Sequence, residues 1–160
     1  MAKILREDPE LDDTDRAILL AVQRDGRIPN ARLAEAVGVA PSTAHTRLRS
    51  LVERGVIGAF VADIEPQALG LGLQALISVG IRAGARGEMS GFLDRVSALP
   101  EVVQAFFLGG SEDFIVHVAV RDSEAVRDFV VEHLSADPAV SFTRTSLIFD
   151  HRRHPVTIPG

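Results

Sequence analysis

The stretch from Asn30 to Gly55 constrains the fold more than any other part of the chain. Apolar residues recur at helical spacing on both sides of Gly38, which predicts a short helix, a tight turn and a longer helix. The two apolar stripes comprise Leu33, Ala34 and Val37, followed by Ala44, Leu48 and Leu51. This order is typical of a helix-turn-helix, although helix pairs joined by a glycine-containing turn also occur in many all-α proteins.

The outer face of the second helix carries hydroxyl and guanidinium side chains. With the apolar stripe turned inward, helical geometry places Ser42, Thr46 and Arg49 toward solvent, and Thr43 and Arg47 on one flank. Such side chains meet phosphates and base edges in the major groove of double-stranded DNA. The sequence therefore predicts that this helix binds DNA through its outer face.

Residues typical of helix ends predict a third helix before the helix-turn-helix. Asp12 is expected to cap the first helix, which ends near Gly26, and Asn30 to cap the second. Pro41 suits the first position of the third helix, where Ala40 lacks a capping oxygen and Ser42 could supply one. Residues 56–62 are β-branched and aromatic-rich, which predicts a strand and hence a winged helix-turn-helix.

From residue 73 the pattern changes to alternating strands and amphipathic helices. Strands are predicted near residues 73–81, 102–108, 114–120 and 140–149, with helices over 89–99 and from 123 to near 138. The resulting order, βαββαβ, is that of a ferredoxin-like domain. The fold class is therefore α+β, with a winged helix-turn-helix over residues 1–64, a hinge over 65–72, the ferredoxin-like domain over 73–152 and a tail over 153–160.

One face of the predicted sheet is too apolar to remain in water. Both helical crossovers should cover the opposite face, which leaves Leu76, Ile115, His117 and Ala119 without a helix above them. A second copy of the same sheet is the simplest cover. We therefore expect a two-fold homodimer, which would also hold two DNA-binding helices at a fixed separation.

Composition excludes several classes of protein. The net charge of −5 argues against a non-specific nucleic-acid coat protein, which is normally basic. The chain has no cysteine, so it can form neither a disulfide framework nor a thiolate zinc site. It shows no apolar leader and no apolar run long enough to span a bilayer, and we expect a soluble, cytoplasmic protein.

The chain resembles the Lrp/AsnC, or feast/famine, family of bacterial and archaeal transcription regulators over nearly its whole length. The matching strings include Asp25-Gly26-Arg27, Gly55-Val56-Ile57-Gly58, Gly110-Ser111-Glu112-Asp113-Phe114 and Thr143-Arg144-Thr145. The resemblance implies that the third helix binds DNA through Ser42, Thr43, Thr46, Arg47 and Arg49. It implies dimerisation through the C-terminal domain, with dimers associating into octamers or related rings. It also implies that a small effector, typically an amino acid, binds near the turn that holds Gly110, Ser111 and Asp113.

The same turn has some physical suitability for such a ligand. Gly110 allows close approach to backbone N–H groups that suit a carboxylate, and Asp113 can pair with an ammonium group. An ordinary glycine-rich β-turn with a solvated acid would have the same sequence. Two departures from the family pattern are Ala40 in place of a serine cap and the additional Gly109, which leaves the position of the pocket open.

The sequence contains no nucleophile–base pair, paired carboxylates or phosphate-binding glycine loop, so we predict no catalytic residue, no metal and no cofactor. His151 and His154 at the end of the chain lack the acidic partners of a metal site. Sirohaem decarboxylases have a similar two-domain organisation, so an enzyme of that type is one alternative function. A DNA-wrapping architectural protein without an effector is the third possibility.

Overall fold

In a computed structural model, the structure describes residues 11–159, which divide into two compact units. The first unit contains residues 11–63 together with 153–159, and the second contains residues 64–152. No helix within the described range is long and apolar enough to cross a membrane.

The first unit is a three-helix cluster. Helix α1 spans Asp13–Arg24, α2 spans Asn30–Val37 and α3 spans Pro41–Glu53. The carboxylate of Asp12 accepts a hydrogen bond from the Asp15 amide at 2.8 Å, which confirms the predicted cap of α1. The three helices enclose a small apolar core whose most buried members are Ile18, Leu33, Ala34, Ala44 and Leu51.

The turn between α2 and α3 depends on a glycine. Gly38 has a φ of 71° and ends α2 in the left-handed conformation, which a glycine adopts without steric cost. Pro41 begins α3 as predicted, and Ala40 contributes no side-chain cap. The predicted caps by Asn30 and Ser42 are wrong: Asn30 is already helical, and its side-chain amide donates to the carbonyl of Pro41 at 2.9 Å.

The predicted strand over residues 56–62 is also wrong. These residues form no strand: the amides of Val56 and Ile57 donate back to the carbonyl of Leu51, and Phe60 and Val61 are 50% and 83% exposed. A strand exists only where a neighbour pairs with its backbone, and among the described residues no strand lies beside this segment. Strand-like composition without a pairing neighbour therefore does not produce a strand here.

The end of the chain returns to the helical unit. We call residues 153–159 the C-terminal strap. The side-chain amide of Gln23 on α1 donates to the carbonyl of Val156 at 2.8 Å, and Arg16 Nε donates to the carbonyl of Pro159 at 3.0 Å. Arg153 forms an ion pair with Asp63 at 3.1 Å. The helical unit is therefore built from two separate segments of the sequence.

The second unit is an antiparallel sheet covered by helices on one face, and it confirms the predicted ferredoxin-like fold. The strands are β1 (Leu73–Ile81), β2 (Val102–Phe107), β3 (Phe114–Val120) and β4 (Val140–Ile148), in the spatial order β2-β3-β1-β4. Helix α4 spans Met89–Ser97, and α5 spans Ser123–Phe129. The hinge region forms a single 3₁₀ turn over Pro66–Leu69.

The main core lies between this sheet and its helices. Ile77, Val79, Phe114 and Val116 alternate onto the covered face and are almost fully buried. The rings of Phe92 and Phe114 pack at 5.0 Å between centroids, which joins α4 to the middle of the sheet.

Helix α5 changes its geometry after Phe129. Residues Val130–Ser135 form a π-helical turn, in which the amide of Ala136 donates to the carbonyl of Val131 at 3.2 Å. Such wide turns are rare and occur frequently at functional sites. Leu134 within it is completely buried and fixes the turn to the core.

Candidate functional site

The outer face of α3 is open to solvent along its length. Ser42, Thr43, Thr46 and Arg49 are all exposed, on the side opposite the buried Ala44 and Leu51. The three hydroxyl groups have no hydrogen-bond partner within the described residues, so they are available to an external acceptor or donor. Arg49 pairs with Glu53 at 2.7 Å, but its side chain remains 72% exposed, so a phosphate could replace that partner at small cost.

Arg47 differs from the other predicted contacts. Its guanidinium forms ion pairs with Asp12 and, at 3.1 Å, with Asp15, both at the start of α1. Arg54, one residue beyond α3, also reaches Asp15 at 3.3 Å. The Asp15 side chain is only 7% exposed, so a nearly buried carboxylate is held between two arginines. We call Asp12, Asp15, Arg47 and Arg54 the α1–α3 clasp.

The electrostatics of the clasp favour its charged state. The Asp15 amide and then the Arg47 guanidinium lower the pKa of the Asp12 carboxyl, and the hydrogen bonds to Asp12 and Asp15 raise the pKa of Arg47. The clasp therefore ties α3 to α1. Arg47 as a DNA contact stays a prediction, since its side chain is engaged inside the unit in this structure.

The second predicted site is the turn between β2 and β3. Gly110 and Ser111 are exposed, and a side chain at Gly110 would meet nothing within 4 Å, so the backbone there is open to a ligand. The Ser111 hydroxyl donates to Glu112 at 2.6 Å. Arg144 on β4 donates to the other oxygen of Glu112 at 3.2 Å. The turn thus presents a carboxylate and a guanidinium that are 25% and 68% exposed.

Asp113 contributes to the fold of this turn. One of its carboxylate oxygens accepts a hydrogen bond from the Ile81 amide at 2.7 Å, where the pairing of β1 with β4 shifts register. Its own backbone bonds to Val79 and Leu108. The proposed ammonium partner is therefore partly occupied in holding the end of β1.

Comparison with known proteins gives the family. A model of winged helix-turn-helix DNA-binding domains matches residues 11–57, and a model of the Lrp/AsnC ligand binding domain matches residues 74–155. The chain belongs to the Lrp/AsnC family. It is accordingly a DNA-binding transcriptional regulator, and the α3 face lies within its matched DNA-binding domain.

Individual relatives agree over most of the chain. The transcriptional regulator AldR of Mycolicibacterium smegmatis is 56% identical over 144 residues, covering 90% of this chain and 84% of that protein. The crystal structure of MtbAldR is 45% identical with a TM-score of 0.81, covering 93% of this chain and 99% of that one. A regulator from Neisseria meningitidis, solved as a complex with L-methionine, is 32% identical with a TM-score of 0.83, covering 94% and 97%. These regulator relatives do not favour the decarboxylase alternative.

The sequence did not predict the ion pairs that hold the side chains of these two sites in place. Arg47 and Arg54 are seven residues apart, or about two helical turns, which places both on one side of α3 and was a usable signal. Glu112 and Arg144 lie within strings typical of the family, but nothing in the sequence indicated that they would meet across 32 residues.

Proposed function

We propose that this Lrp/AsnC regulator reads a specific DNA sequence as a homodimer and that a small amino-acid effector controls its binding. The observation that carries the first part is the uninterrupted polar, solvent-exposed face of α3, formed by Ser42, Thr43, Thr46 and Arg49. Hydroxyl and guanidinium groups at these positions suit both phosphate and base-edge contacts.

The DNA-binding proposal is tested with duplexes selected from a random pool by the full-length protein. Arg49→Ala should weaken binding and reduce the slope of log affinity against log salt by about one per half-site, because one phosphate contact is lost. Arg127→Ala is a matched control, since Arg127 is equally exposed and ion-paired but lies on α5 of the other unit. An unchanged affinity and salt slope in Arg49→Ala would remove α3 from the proposed interface.

The homodimer is supported by the exposed part of the sheet face opposite the helices, although His117 and Ala119 on that face are already buried within the chain at 6% and 3% exposure. Leu76, Phe106 and Phe142 lie on this face of β1, β2 and β4 and are 36%, 44% and 41% exposed. Apolar groups grouped this way favour an interface with another sheet. We propose that dimers assemble further into octamers or related rings, as the family resemblance implies.

The effector proposal places an amino acid at the β2–β3 turn, in contact with Gly110 and Ser111 and near Asp113. The open backbone at Gly110 suits the carboxylate of the ligand, and Asp113 or Glu112 suits its ammonium group. The L-methionine complex of the Neisseria relative supports this class of ligand.

A thermal-shift screen against the twenty amino acids tests this part, because a ligand that binds the folded state raises the melting temperature. Ser111→Ala and Glu112→Gln should each reduce the shift caused by the best ligand and leave DNA affinity unchanged. These variants are better suited than Asp113→Ala, which also removes the acceptor of the Ile81 amide. A full response in both variants would exclude the turn as the effector site.

A further inference from the structure

A cleft on the helical side of the second unit is not used by either proposed site. It has a volume of about 530 Å³, within the usual range for small-molecule sites, and lies between α4 and the π-helical turn. Its apolar floor includes Val96 and Leu99. Its charged rim includes Glu88, Arg95, Glu132 and His133.

The π-helical turn forms one wall of this cleft. Because a π turn is wider than an α turn, it carries Glu132 and His133 to the rim while Leu134 remains completely buried. The imidazole of His133 packs against the Phe129 ring at 5.3 Å between centroids. An otherwise regular helix is thus interrupted at the point where it borders the cleft.

The opposite wall presents a fixed cation. Arg95 donates to Asp137 at 2.8 Å, and the guanidinium lies 6.0 Å from the centre of the Phe92 ring. Asp137 is itself held, since its other oxygen accepts from the Ala139 amide at 2.9 Å. The remaining N–H donors of Arg95 stay accessible, because its side chain is 58% exposed. Arg95 is therefore placed to bind a carboxylate without losing Asp137.

The rim also carries acceptors for a cation. Glu88 and Glu132 are exposed and form no ion pair with any described residue. A cleft with one accessible guanidinium, two free carboxylates and an apolar floor is complementary to a zwitterion with an apolar substituent. We propose that this cleft is a second small-molecule site, separate from the β2–β3 turn, that binds an α-amino acid with an apolar side chain. Arg95 binds its carboxylate, Glu88 and Glu132 bind its ammonium group, and Val96 and Leu99 contact its side chain.

The experiment is methyl NMR on the full-length protein labelled at valine and leucine methyl groups. The probes are L-alanine, L-leucine, L-methionine and L-phenylalanine, each titrated separately. We expect at least one of them to shift the methyl signals of Val96 and Leu99 in a saturable manner. The double variant Glu88→Gln/Glu132→Gln should weaken that titration by about tenfold or more, as two charge-assisted hydrogen bonds are lost.

Two control variants separate this site from other effects. Glu124→Gln removes an equally exposed acid of α5 outside the cleft, and Ser111→Ala alters the β2–β3 turn; neither should change the titration of Val96 and Leu99. Analogues of the best probe that lack either the ammonium or the carboxylate group should bind at least about tenfold more weakly.

Three outcomes would overturn the proposal. The first is that none of the four probes shifts both methyl signals. The second is that Ser111→Ala abolishes the shifts, which would assign them to the turn. The third is that the amine lacking a carboxylate binds as well as the amino acid, which would make the cleft a site for simple cations. If the thermal-shift experiment excludes the β2–β3 turn as the effector site, the methyl titration still tests the cleft on its own.

Discussion

Neutralising Asp15 should loosen the helical unit, because this nearly buried carboxylate joins α1 to α3 through Arg47 and Arg54. Asp15 is 5% exposed and accepts from Arg47 at 3.1 Å and from Arg54 at 3.3 Å. In Asp15→Asn the volume is kept, but both hydrogen bonds lose their charged acceptor. Hydrogen bonds to charged groups contribute about 1.5–3 kcal/mol each where they are buried. Because both arginines remain partly solvated and Arg47 keeps Asp12, we expect a total loss of about 1–3 kcal/mol.

Amide hydrogen exchange on the full-length protein measures this loss locally. A destabilisation of that size should lower the protection of α1 and α3 by roughly five- to 160-fold and leave the strands of the sheet unchanged. Asp13→Asn is the matched control, since Asp13 is on the same first turn but is fully exposed. Equal protection in Asp15→Asn and Asp13→Asn would refute the clasp as a stabilising element.

The same measurement separates the two roles of Arg47. If Arg47 acts only within the clasp, Arg47→Ala lowers the protection of α1 and α3 and leaves the salt slope of DNA binding unchanged. If Arg47 also contacts a phosphate in the complex, the slope falls by about one as well.

Three further outcomes follow from other contacts. The Asp12 carboxyl has a pKa below its ordinary value of 3.8, so the stability it contributes is present above that pH and is lost as the pH falls through the lowered value. The protection factors of α1 should fall there in the wild type and depend less on acid in Asp12→Asn. Phe142→Asp should convert dimers to monomers in light scattering, whereas Val131→Asp, at an exposed position on the π-helical turn, should not. Removing residues 153–159 should lower the protection of α1 by about tenfold, because Gln23 and Arg16 lose their carbonyl acceptors, and unchanged exchange would show that the strap adds nothing.

Sequence patterns predicted the elements that are specified locally. The Asp12 cap, the glycine at the end of α2, the proline that begins α3 and the alternation of β1 and β3 each rest on the chemistry of a few neighbouring residues. The ferredoxin-like topology followed because short connections and right-handed crossovers leave few ways to arrange four strands and two helices.

The failures concern features that depend on distant partners. The apolar residues 56–62 have strand composition, yet pairing requires a neighbour that the described chain does not supply. Helical spacing placed Arg47 on the flank of α3, but its direction is set by Asp15, 32 residues away. The π turn after Phe129 leaves no mark in the period of the apolar residues, and the strap on α1 depends on backbone carbonyls that any residue could offer.

The return of the strap to α1 also affects how chimaeras of such regulators should be designed. Exchanging everything after the linker would remove the segment that supports α1, so the new protein could lose DNA binding for reasons unrelated to its effector. Grafts that keep residues 153–159 of the host would require two junctions, one near Asp63 and one near Arg153. The sheet domain is therefore inserted into the helical unit, and recombination between family members would need to keep both of its junctions intact.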